Sequence, residues 1–71
     1  MQTGYRFDHF PPEIGSEIGA FRTLEACEQF VREQGGLRGG MRIWEIQGLL
    51  VSDEGGLDGL VIKVDRYSVV R

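Results

Sequence analysis

The stretch TLEACEQFVREQ, running from Thr23 to Gln34 and followed by Gly35-Gly36, carries the clearest helical spacing of apolar residues in the chain. Leu24, Cys27 and Val31 follow an i, i+3, i+7 pattern and Phe30 widens it, while Glu25, Glu28, Gln29, Arg32 and Glu33 point away. Thr23 suits an N-cap, Glu25 lies in the first turn where the helix dipole favours an acid, and the two glycines supply a left-handed stop. Glu28 and Arg32 are spaced as an i, i+4 ion pair. The spacing predicts one amphipathic helix over residues 24–34. A single helix must lay its apolar stripe on something else, and the segments on either side read as strands.

Residues 4–10, GYRFDHF, alternate: Tyr5, Phe7 and His9 share one face, Arg6 and Asp8 the other. Pro11-Pro12 ends that strand, because proline donates no ladder hydrogen bond. Glu-Ile-Gly occurs at 13–15 and again at 17–19; its glycines oppose a helix, so a loop with one turn is expected there, with Ile14 and Ile18 tucked beneath it. After the helix, MRIWEIQGLLVS puts Trp44 and Ile46 on one face but Leu49 and Val51 on the other phase. Gly48 lies between the two phases, where a bulge restores the inward face. SDEGGLDG reads as a polar turn, and LVIKV then points Leu60, Ile62 and Val64 inward and Lys63 outward. Tyr67 and Val69 are out of phase with that set, which predicts a second irregularity at Asp65-Arg66 before a last short strand.

The expected fold is therefore α+β. One helix packs on a three- or four-stranded, mainly antiparallel sheet in the order β-α-β-β(-β), with the other sheet face half wet. At 71 residues the chain holds one small domain, 1–71, and one core. A core of this size only just offsets the ordering cost of the chain, so burial of the open face or an edge strand in a homodimer is an expected source of stability.

Composition narrows the function by exclusion. One cysteine, Cys27, and one histidine, His9, are too few for a self-contained zinc site, and a lone cysteine makes no internal disulfide. No metal and no cofactor are expected, and a reducing cytoplasmic setting is. No segment has the apolar length of a membrane span, so no membrane partner is expected. Net charge is −3 and the pI about 5.0, which argues against nucleic acid as the partner. The only long basic-leaning segment is 59–71, where Lys63, Arg66 and Arg71 stand against Asp65.

GGLRGG at 35–40 and GGLDGL at 55–60 look like phosphate loops, but the first leaves a helix for a strand, the reverse of the usual order, and the second is acidic. They read as a helix stop and a hairpin loop. Asp53, Glu54 and Asp58 lack the alternating ligands and flanking helices of a calcium loop and read as a solvated acidic turn. Cys27 falls on the apolar stripe among acids, the setting of an inert thiol. His9 beside Asp8 is the one candidate general base.

Tryptophan serves both cores and binding hot spots, so Trp44 is expected in the core first and is also the leading candidate for a binding residue. If the helix covers the opposite face, Trp44 joins Arg42, and Tyr5 or Phe7, in an aromatic and basic surface. The candidate binding set is Trp44, Arg42, Tyr5 and Arg38. The expected function is a small non-enzymatic protein-binding or regulatory module acting on an unidentified protein through a sheet face or edge strand. The alternative is a domain that binds a small ligand or a single nucleic-acid strand, using Trp44 and the arginines 38, 42 and 66. Catalysis with His9 as base comes third.

Overall fold

The computed structural model describes the backbone of residues 2–55 and 59–71 and the side chains of residues 2–49 and 62–71. Its elements are β1 (Gln2–Asp8), β2 (Glu17–Ala20), α1 (Leu24–Glu33), β3 (Arg42–Gly55) and β4 (Gly59–Val69). One helix lies on a four-stranded antiparallel sheet of order β1-β3-β4-β2, the α+β architecture expected. The fourth strand comes from a different place than the sequence suggested. EIGA, read as part of a loop, is β2, and the C-terminal segment is one continuous strand, so the chain order is β-β-α-β-β. Pairing with β4 supplies the order that Gly19 withholds locally. Ile18 packs against the core, whereas Ile14 is 63% exposed and not tucked under anything.

The sheet curls until its edges meet. Tyr5 N–H donates to the Phe21 carbonyl at 2.8 Å and Phe21 N–H to the Tyr5 carbonyl at 2.6 Å, a single bridge joining β1 to the end of β2. Antiparallel partners share a face, so Gly4, Ile46, Val64, Ile62 and Ile18 line one side. Ala20, Ile46, Ile62 and Val64 are buried there, and among the described residues those packed against them, Ile18 and Trp44, also come from strands. Part of the face expected to be half wet is thus an interior enclosed by the sheet itself, in the manner of a small barrel, while Arg42, Tyr67 and Val69 on the same face remain exposed. A Cβ at Gly4 would lie 2.9 Å from the Ala20 Cβ, so the seam closes only over a glycine.

The helix lies outside this barrel. Cys27, Val31 and Ile43 form a second buried cluster with Tyr5, Phe7, Phe21 and Leu24 around it. The Phe30 ring sits 5.7 Å from Phe7 and 5.3 Å from Phe21. Thr23 caps the helix as its sequence implies, its Oγ1 accepting from Ala26 N–H at 3.1 Å. Gly35 and Gly36 stop it at φ of 98° and 90°. Glu28 bonds Arg71 at 2.6 Å instead of Arg32, because the chain after β4 runs back past Ile43 and brings Arg71 to the helix.

The two irregularities foreseen at Gly48 and at Asp65-Arg66 are one bulge. Gln47 pairs with Arg66 and Gly48 with Val64, so the extra residue is Asp65, on β4 and not on β3. Leu49 accordingly stays on the outer phase, 63% exposed. A Cβ at Gly48 would overlap the Lys63 carbonyl oxygen and lie 2.8 Å from its carbon; the close approach of β4 at the bulge leaves room for glycine alone. Beyond Leu50 the register shifts twice more, and β3 continues as strand through Asp53 and Glu54 to Gly55, where a turn was expected. The side chains of Asp53, Glu54, Asp58 and Leu60 lie outside the described residues, as does the tip of that hairpin loop.

Candidate functional site

Pro11 and Pro12 bar strand pairing before residue 13, and Gly15 turns the chain at φ 91°, so β2 begins only at Glu17. Four residues of β2 cover β4 from Leu60 to Lys63, and Gly15 and Ser16 extend the pairing to Val64. Nothing among the described residues pairs with the outer edge of β4 from Asp65 to Val69. Residues 65–71 are all exposed.

The direction of the backbone groups on this edge follows from the ladder. Tyr5 points to Phe21, so Gly4, Arg6 and Asp8 point to β3; their partners Ile46, Trp44 and Arg42 point back to β1. Ile43, Glu45 and Gln47 therefore face β4, in agreement with the 2.8 Å bond from Val70 N–H to the Ile43 carbonyl. On β4, Arg66, Ser68 and Val70 point inward to β3. The N–H and C=O groups of Tyr67 and Val69 point away from β3, four groups without a partner among the described residues on a free strand edge. Their side chains are also open, Tyr67 36% and Val69 51% exposed.

Trp44 stands beside this edge, opposite Val69 and on the face away from the helix. It packs against the barrel interior, its ring meets Tyr67 edge-on at 5.5 Å, and its indole N–H donates to the Asp8 carbonyl at 3.3 Å. Exposed Arg42 and half-buried Arg6 share that face. Arg6 donates to Asp8 Oδ2 at 3.0 Å, while Asp8 Oδ1 accepts His9 backbone N–H at 2.7 Å. The carboxylate beside His9 is thus bonded to Arg6 and to the main chain, and His9 is exposed past the end of β1.

The expected binding set is not assembled as one surface. Trp44 and Arg42 come together, with Tyr67 in the aromatic place proposed for Tyr5 or Phe7. Tyr5 and Phe7 are on the helix side, in the second cluster. There burial, then Glu45, then Glu25, raise the Tyr5 phenol above its usual range. Arg38 lies beyond the helix in the turn before Met41, whose N–H bonds its carbonyl at 2.9 Å. Tyr67 and Val69 were absent from that set; their sequence signal is the phase break at Asp65. Arg66, which the ligand reading grouped with Trp44, is on the outer face and donates its Nε–H to Gln47 Oε1 at 2.6 Å.

Cys27 is fully buried, and burial, reinforced by Glu28, pushes its thiol up to about 11. Among the described residues no three His, Cys, Asp or Glu side chains converge as metal ligands, and no helix is long and apolar enough to cross a membrane. Compared with protein-family models, curated proteins and solved structures, the chain matches none.

Proposed function

We propose that this is a non-enzymatic protein-binding module that receives an extended segment as an added strand along β4. The observation carrying this reading is the free edge from Asp65 to Val69, with Tyr67 and Val69 turning four backbone groups outward. Strand addition draws affinity from such groups and specificity from the side chains next to them, here Tyr67, Val69 and Trp44. Stacking of a base or small ligand on Trp44 has less support, since Asp8 and Tyr67 already engage the indole and Arg38 and Arg66 lie elsewhere. The free thiol of Cys27 fits a cytoplasmic setting.

Val69→Pro tests the reading. It deletes an outward N–H and leaves the bonds to β3 intact, so the fold survives while binding fails. Proteins retained by the wild type, copies of the chain included, are expected to be lost from the variant, with the melting temperature unchanged in dilute protein, where the wild type is monomeric too. Equal retention by both contradicts the proposal.

A further inference from the structure

We propose that the occupant of the β4 edge is a second copy of this chain, paired antiparallel about a two-fold axis that passes at Ser68. This rests on the strand-addition reading and names its partner. A two-fold axis normal to a continuous sheet keeps each face on its own side, so every edge residue must meet a residue of its own face.

An axis at Arg66 would set that arginine against itself, which leaves the registers centred on Tyr67, Ser68 and Val69 to compare on this short edge. With Tyr67 on the axis it pairs with itself, and Val69 falls opposite Asp65, an apolar side chain against an acid at the bulge. With Val69 on the axis, Tyr67 falls opposite Arg71, which already bonds Glu28. With Ser68 on the axis, Tyr67 of each copy meets Val69 of the other. All four outward N–H and C=O groups of each chain are then used, in two hydrogen-bonded pairs.

The side chains agree with that register. On the inner face the exposed Tyr67 ring covers the exposed Val69 of the second copy, an aromatic and β-branched pair beside Trp44. On the outer face Ser68 meets Ser68, and Arg66 lies opposite Val70, so no like charges are opposed. The edge is short beside the 1,200–2,000 Å² or so of stable interfaces, so the dimer forms in a concentration-dependent way. Each chain carries −3, so added salt favours association by screening the repulsion, whereas docking of an oppositely charged peptide would weaken with salt.

Cysteine cross-linking reads the register. Residues facing each other in a non-hydrogen-bonded pair bring their Cβ atoms within disulfide range, which holds for Ser68 against itself and not for Arg66. Under a mild thiol oxidant, Ser68→Cys is expected to give a covalent dimer of twice 8.0 kDa, with Arg66→Cys at least about tenfold slower. Cys27 is buried and stays silent. Equal rates, or no cross-link in either variant, overturn the register. Sedimentation of the unmodified chain is the second measurement: a rise toward the dimer mass with concentration, lost in Val69→Pro, is the expected result. A chain that stays monomeric at its highest attainable concentration, while an unlike protein binds in a manner abolished by Val69→Pro, overturns the self-pairing and leaves strand addition standing. Monomer behaviour with no binding that depends on Val69 removes both.

Discussion

Ile46→Ala probes the barrel interior, because the same substitution made at another isoleucine of this chain should do almost nothing. Ile46 is fully buried, and the described residues of its cluster, Ala20, Ile62, Val64, Ile18 and Trp44, all come from strands. Removing its outer carbons leaves a hole in an interior walled by hydrogen-bonded backbone, which collapses poorly, so a cost of about 2–5 kcal/mol is expected. In a domain of this size about 1 kcal/mol moves the melting temperature by roughly 4–8 °C, so a drop of at least about 8 °C should follow. Ile14, 63% exposed, gives up little buried area on the same change, and about 0.5 kcal/mol or less is expected. Trp44 touches the interior and reports unfolding by its fluorescence during thermal or urea denaturation. A loss below about 1 kcal/mol at Ile46, or an equal loss at Ile14, would refute the enclosed interior.

Gly48→Ala should cost about 1–3 kcal/mol in the same assay, because its methyl group must push the Lys63 carbonyl aside at the bulge. For Cys27, the folded thiol titrates near 11 against its usual 9.0, so the unfolded chain loses its proton first and stability falls as pH rises from 9.0 towards 11. The raised Tyr5 phenol acts in the same direction at somewhat higher pH. Denaturation midpoints measured across that range check the sign, and an aromatic disulfide reagent at pH near 8 should label Cys27 only in unfolded protein.

The helix was legible in full, caps included, because its signals are local: Thr23, the apolar stripe and the glycine pair act within one segment. The irregularities at Gly48 and Asp65 were also visible as breaks of phase. That they form one bulge depends on which residue faces which, and register is a property of two strands together. β2 was hidden for a related reason. EIGA has weak strand propensity, and its order comes from pairing with β4 and from the Tyr5–Phe21 bridge that closes the seam. Trp44 stood out as a residue type, yet its neighbours Tyr67 and Asp8 are brought to it by strand pairing. The free edge left no mark on any single residue; it is the length by which β4 outruns β2.

Amide hydrogen exchange along β4 tests the account most directly. In dilute protein Tyr67 and Val69 N–H groups should exchange fast while those of Arg66, Ser68 and Val70, bonded to β3, are protected. As concentration rises and the edge is taken up, Tyr67 and Val69 should become protected as well. Equal protection along Arg66–Val70 in dilute protein, or Tyr67 and Val69 still unprotected in a saturated complex, would contradict it.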